Sequence, residues 1–450
     1  MTHMKSIYFL VSVLLLFALG SCKKFLEVEP KNQASDDQTI FDKNSAQTAL
    51  NGAYRLLAAD AYYGQKFQFI IYLQGGDLGW GDSRTVNLQF IQNDVRADNE
   101  EVNNVWTAIY KTINQTNHII AKVPPITSDP ALTTAVKNDI LGQAYFIRAL
   151  AYFDLVRTWG GVQIVLTPTE DVAQKAGIPR SSVADTYQQV LNDLTIAEGL
   201  LSSGVNRVRA TKNTVRALRA RYHLYRQEWA DAETYATYAI SDLTNYPLIS
   251  PYNSWFANNV VGSKESILET AYSTVQLNTH RNSWQPTQNG GIRSWFPKDN
   301  FVTLVNTPAI GGNRSTLVAQ ATNGQWYGNV YYRNPATDPS FVLRIAEQYL
   351  IRAEARANLN NLPGATLDLN LVRNRAGLTG TTATTQADLL LAIEDERRFE
   401  FAWEPHRWFD LVRTSRADDV LNLTNTNKWI LPIPAAQLIV DPALTQNPGY

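Results

Sequence analysis

The run Gly75-Gly76-Asp77-Leu78-Gly79-Trp80-Gly81-Asp82 sets one indole between two carboxylates in a segment loosened by four glycines. Glycine reaches backbone shapes closed to other residues, so Trp80 can be presented on a turn with Asp77 and Asp82 beside it. A tryptophan face stacks on the apolar face of a sugar ring, while carboxylates accept bonds from its hydroxyls. The same residues also describe a tight turn with a buried anchor tryptophan. A third option is a calcium loop, although the acidic spacing does not fit the EF-hand pattern. A second aromatic group runs through Trp284, Trp295, Trp326, Tyr327, Tyr331 and Tyr332, interleaved with Asn282, Gln285, Gln288, Asn289 and Asn329. An amide donates and accepts at adjacent atoms, which suits vicinal diols. Asp77, Trp80, Asp82, Trp284, Trp295, Trp326, Tyr327 and Tyr331 are therefore the candidate ligand contacts. Large aromatics are more often core than contact, so the group carries more weight than any member.

Catalytic chemistry finds less support. Glu396, Glu400 and Glu404 share a helical face, which invites comparison with the paired acids of glycoside hydrolysis. That chemistry needs two carboxylates about 5 to 9 Å apart flanking a sugar, usually from separate elements. Here the acids form a stripe with Arg397, Arg398 and Arg407 nearby, the pattern of an ion-pair network joining helices. No Gly-x-Ser-x-Gly elbow, His-Glu-x-x-His pair or phosphate loop occurs. With 40 Lys plus Arg against 41 Asp plus Glu, there is no basic field for nucleic acid. Five histidines leave little material for a transition-metal site, and no cofactor is expected. The 11 Trp, 21 Tyr and 16 Phe point instead to recognition of a neutral, ring-shaped ligand.

Cys22 is the one cysteine, and it ends a stretch patterned as a lipoprotein export signal. Lys5 supplies a positive start, Ile7 to Leu19 an apolar run too short to span a bilayer comfortably, and Leu19-Gly20-Ser21-Cys22 a lipobox-like site. The expected organisation is a signal peptide over 1–21, a lipidated tether over 22–37 anchored in the membrane through Cys22, and one domain over 38–450 with halves 38–250 and 251–450.

Within that domain helical periodicity dominates. Leu141, Tyr145, Ala149, Tyr152, Val156 and Trp159 share one face of a helix ending at Gly160-Gly161. Tyr187, Val190, Leu191, Leu194, Ala197 and Leu201 make another, opened by a Ser182/Asp185 capping box. Strands are expected only at Val162–Leu166 and Trp429–Ile433. Ala220, Trp229, Ala232 and Ala236 recur at the spacings of Ala353, Leu362, Ala365 and Leu369, which is the logic of tetratricopeptide-type helical hairpins. The fold class is thus an all-α-dominated, tetratricopeptide-like helical-repeat scaffold. Segments 60–98 and 252–339, rich in Gly, Asn, Ser, Thr, Trp and Tyr, are its long irregular binding loops.

Several segments resemble one family. They include Gly142-Gln143-Ala144-Tyr145-Phe146-Ile147-Arg148-Ala149-Leu150-Ala151-Tyr152-Phe153-Asp154-Leu155 with Trp159-Gly160-Gly161, then Pro179-Arg180-Ser181-Ser182 and Glu265-Ser266-Ile267-Leu268-Glu269. In the C-terminal third stand Ala346-Glu347-Gln348-Tyr349-Leu350, Leu371-Val372-Arg373-Asn374-Arg375-Ala376-Gly377-Leu378, Arg407-Trp408-Phe409-Asp410-Leu411-Val412-Arg413 and the closing Gln446-Asn447-Pro448-Gly449-Tyr450. From Cys22 onward the chain resembles the SusD/RagB family of outer-membrane nutrient-binding lipoproteins of Bacteroidetes. The resemblance implies four tetratricopeptide-like helix pairs under a loop-rich ligand face, and a lipid anchor in the outer membrane. It also implies pairing with a SusC-like TonB-dependent transporter, to which the lipoprotein delivers captured glycan as a hinged lid, without catalysis. The RagB branch supplies an alternative, capture of peptides or protein fragments. The family's contact aromatics lie in its variable loops, so the motifs themselves transfer no contact residue.

Overall fold

The computed structural model describes residues 39–169, 177–256 and 262–450. The expected signal segment, Cys22 and the tether to residue 37 lie outside them. Among the described residues there are sixteen α-helices and six strands of three to five residues, the helix-dominated architecture that the periodicity predicts.

Nine helices run twelve residues or more: α1 (Lys43–Leu57), α2 (Glu100–Lys122), α3 (Thr134–Trp159), α4 (Val183–Leu200), α5 (Lys212–Tyr225), α6 (Trp229–Ile240), α7 (Ile345–Asn358), α8 (Leu362–Arg375) and α9 (Gln386–Glu400). The first eight pack as consecutive pairs, α1 with α2, α3 with α4, α5 with α6 and α7 with α8, and each pair leans on the next. Several helix starts carry their own signal. Thr133 caps α3 by accepting from the Val136 amide, and Ser182 and Asp185 form both halves of the capping box on α4. The C-terminal half of α3 is buried on every side from Phe146 to Trp159, as befits a helix at the centre of the array. The matched small residues lie inside their hairpins. Ala220, Ala232 and Ala236 meet Ile351 and Ala355 in a small core capped by Trp229, and Ala353, Ala365 and Leu369 are fully buried.

Buried ion pairs lock the pairs together. Arg148 on α3 grips Asp193 on α4 through two bonds of 2.8 Å, and Arg221 on α5 grips Glu347 on α7 at 2.6 Å. The Glu396/Glu400/Glu404 stripe is such a network. Arg344 reaches Glu265 at 2.8 Å, Glu400 at 3.1 Å and Glu404 at 2.6 Å. Arg314 joins Glu400 at 2.8 Å and also pairs with Glu396, while Arg375 joins Glu265 at 2.7 Å and also pairs with Glu400. All these carboxylates are spent on arginines in the interior, so the stripe offers no acid pair across a cleft.

The strands form three antiparallel pairs: β1 (Leu78–Trp80) with β3 (Trp295–Pro297), β2 (Ser266–Thr270) with β6 (Ser340–Arg344), and β4 (Val318–Gln320) with β5 (Trp326–Gly328). Neither segment expected to be a strand is one. In Val162–Leu166 side chains take the place of a ladder. The Tyr152 hydroxyl accepts from the Val165 amide at 2.7 Å, and Asn117 donates to the Val165 carbonyl at 2.9 Å. Trp429–Ile433 is clasped likewise. The Trp159 indole donates to the Pro432 carbonyl at 3.0 Å, Asn447 donates to the Leu431 carbonyl at 2.7 Å, and Gln446 bonds both backbone groups of Ile433. β-Branched and aromatic composition signalled extended backbone correctly, but side chains rather than a neighbouring strand satisfy it.

Candidate ligand-binding face

The β1–β3 pair brings the glycine-rich run against the second aromatic group. Trp80 stands opposite Trp295 and Gly79 opposite Phe296, and the Gly81 amide extends the ladder to the Ser294 carbonyl at 2.7 Å. Opposed residues share a face. Trp80 and Trp295 therefore turn toward the core, with ring centroids 6.0 Å apart, whereas Phe296 turns outward and lies across Gly79. A Cβ at Gly79 would sit 2.6 Å from the Phe296 ring, so the glycine is a consequence of that close approach. Arg293 completes the outer layer. Its guanidinium lies 4.2 Å from the Phe296 centroid, and its Nε donates to the Trp326 carbonyl on β5 at 2.8 Å. Arg293 and Phe296 are both half-buried, as are Trp80 on β1 and Trp326 on β5.

The eight candidate contacts divide on this frame. Trp284 and Trp295 are 0% and 1% exposed, and Tyr331 is 1% exposed with its ring stacked on His280 at 4.3 Å. These three are core residues and show no face to a ligand, which corrects the reading of them as contacts. Trp284 packs among Tyr72, Trp295 and Trp403 and so closely on Gly328 that a Cβ there would lie 2.5 Å from its ring. Tyr327, 8% exposed, keeps only its hydroxyl edge near Asn289 at 3.4 Å. Asp77 is occupied as well, since Arg398 on α9 grips both its oxygens, the Nε at 3.0 and 3.1 Å. That pairing removes it from a sugar and from a calcium loop alike. Trp80 stands between the two readings, packed on the core by one side and half-exposed on the other. Asp82 and Trp326 remain at the surface. Burial draws the Asp82 pKa up, but the Ser83 amide at 2.6 Å and the Arg84 guanidinium at 3.6 Å outweigh it and hold the carboxyl below its ordinary value.

Two other features lie apart from these residues. A cavity of about 590 Å³ opens beside α2, lined by Trp106, Tyr110, Lys111, Asn114 and Gln163, and none of the eight candidates lines it. Its amides are already engaged, as with Asn114, which exchanges bonds with the Thr169 backbone at 2.7 and 3.4 Å. At the α5–α6 turn, His223, Glu228 and Asp231 bring possible metal-ligand atoms within 4.8 Å of one another. The His223 Nδ1 is already 2.6 Å from the Glu228 carboxylate.

Comparison with known proteins decides what this scaffold is. A SusD-like family described as "Starch-binding associating with outer membrane" matches residues 24–224, and the SusD family matches residues 326–427. The chain belongs to the SusD/RagB family. A SusD-like protein of Formosa agariphila is 26% identical over 98% of this chain and 98% of its own length. One of Bacteroides ovatus is 23% identical over 95% and 86%. Among solved structures, a SusD superfamily protein from Bacteroides vulgatus superposes with a TM-score of 0.80 at 19% identity, over 91% of this chain and 99% of that one. A laminarin-binding SusD-like protein does so with a TM-score of 0.78 at 22% identity, over 91% and 100%. At these identities the structural likeness establishes a shared fold and nothing finer.

In this SusD-like chain the helix pairs are the rigid platform, and the outer face of β1, β3 and β5 is what they display. Sequence reasoning missed Phe296 and Arg293 there. The available signal was the alternation of a strand, which turns Phe296 away from the face of Trp295. Three residues are too few for that alternation to be recognised.

Proposed function

We propose that this SusD-like protein is a non-catalytic binder that captures oligo- or polysaccharide at the cell surface and delivers it to a SusC-like TonB-dependent transporter. Family membership supports the general role, and the half-exposed rings of Trp80, Phe296 and Trp326 carry its assignment to a site. Flat rings beside a hydrogen-bonding fork suit the apolar face and hydroxyls of a pyranose. Because sugar hydroxyls exchange water bonds for protein bonds at little net gain, stacking supplies much of the selectivity. The laminarin-binding SusD-like protein, of the same fold, is consistent with this reading.

Calorimetry on the detergent-solubilised full chain, against a panel of neutral and charged oligosaccharides and of peptides, tests the role. Binding to at least one oligosaccharide without its cleavage is the expected result. Trp326→Ala should weaken that binding roughly tenfold while leaving thermal stability nearly unchanged. Binding to peptides alone would move the assignment to the peptide-capturing branch. Anchoring through Cys22 is part of the same proposal. Cys22→Ala should leave the protein out of the membrane fraction of the producing cells, and undiminished retention there would refute the anchor.

A further inference from the structure

Many arginines in this protein come with acids. Arg148, Arg221, Arg314, Arg344, Arg375 and Arg413 each hold a buried carboxylate, and even the exposed Arg84 lies 3.6 Å from Asp82. Arg293 does not, and unlike Arg180, whose guanidinium is taken up by carbonyls and an amide, it leaves its terminal nitrogens unbonded among the described residues. No carboxylate among the described residues pairs with it, and its side chain's one hydrogen bond is the donation from Nε to the Trp326 carbonyl. Burial alone acts on its proton affinity, lowering it, with no neighbouring charge to offset the effect. Only the Phe296 ring and one carbonyl, and no counter-charge, offset the desolvation of this cation.

The setting is organised rather than incidental. The Phe296 ring lies 4.2 Å from the guanidinium, the Nε bond fixes its rotation, and the residue, two positions before β3, holds a positive φ of 47°. Both terminal nitrogens carry no hydrogen bond to the described residues, and the half-exposed Trp80 and Trp326 stand on the adjoining strands. A planar guanidinium with two free N–H-bearing nitrogens matches the paired oxygens of a carboxylate or a sulfate. The net charge of −1 over the whole chain supplies no general attraction for anions, so any preference must arise locally.

We propose that Arg293 makes this face selective for an anionic glycan, one bearing uronate carboxylates or sulfate esters, held by its fork while the neighbouring rings stack on the sugar. The inference rests on the glycan-binding role assigned above and narrows it. It departs from the neutral ligand that the composition suggests.

Three probes decide it by calorimetry on the detergent-solubilised full chain: oligogalacturonates, sulfated galactan oligosaccharides and neutral β-glucan oligosaccharides. One anionic probe should bind at least tenfold tighter than the neutral one, and which of the two does so separates uronate from sulfate. Raising sodium chloride from about 0.05 to 0.5 M should weaken that binding several-fold and leave the neutral probe unaffected. Arg293→Met, which keeps the stem over Phe296, should abolish the preference. Arg293→Lys should retain part of it, because the charge persists without the fork. Equal or tighter binding of the neutral probe, or an anion preference that survives Arg293→Met, overturns the inference and leaves the glycan-binding role standing. Binding of none of the three probes overturns that role too. The salt series needs no variant, so it decides the question even if Arg293→Met fails to fold.

Discussion

Glu400→Ala is expected to destabilise the protein by about 3–5 kcal/mol, among the largest single-residue effects in the molecule. Glu400 is 0% exposed and receives Arg314, Arg344 and Arg375. Removing it leaves three buried guanidiniums short of an anion, including one, Arg344, that also lies 4.0 Å from the Trp255 ring. The damage would spread across the fold, because those arginines come from the 3-10 turn before β4, from the end of β6 and from α8. Equilibrium denaturation of the variant beside the parent measures it, and a loss below about 1 kcal/mol would mean the network contributes geometry rather than stability. Acid titration gives a second reading. Burial pushes the Glu400 carboxyl up, but the three guanidiniums outweigh it and hold the pKa down to about 2. A folded-state value below the unfolded one means that the contribution of the charge is fully present above the ordinary glutamate range and is lost as pH falls toward 2. The stability gap between the parent and Glu400→Gln should therefore narrow steadily over that window. Glu404 runs the other way, since burial raises its carboxyl and Arg344 only partly opposes it. The Glu400 charge adds to that rise, so Glu400→Gln should also ease the Glu404 carboxyl back toward its ordinary value.

Trp284→Ala is the second. A full indole lost among Tyr72, Trp295 and Trp403 should cost about 3–5 kcal/mol, because rings this tightly set cannot collapse onto the void. Trp326→Ala, on the same stretch of chain but at the surface, should cost far less. Chemical denaturation of the two variants side by side checks the contrast. A Trp284→Ala variant as stable as the parent would refute its role as a core anchor. The comparison matters because the two tryptophans are indistinguishable by composition and local context.

The helix pairs were legible because helical periodicity is a local property, repeated over several turns of α3 and α4 and stated twice in the α5–α6 and α7–α8 hairpins. Capping at Ser182 was legible for the same reason, since both partners lie within one turn. The acidic stripe could be recognised as structural because its neighbours along the helix were arginines, although the arginines that it actually binds are mostly elsewhere. The ligand face was legible only as a composition. Which rings became core and which became surface depended on pairing between residues 78–80 and 295–297, more than two hundred positions apart, through strands too short to announce their alternation. Asp77 is committed by Arg398, 321 residues away, whereas folding brings nothing acidic beside Arg293. The sequence by itself determined the helical scaffold, the family and the segments that carry the loops, because those follow from periodicity and motif. Tertiary structure alone decided which side chains reach solvent and which charges go unpaired, because burial and counter-charge are properties of segments that meet only when the chain is folded.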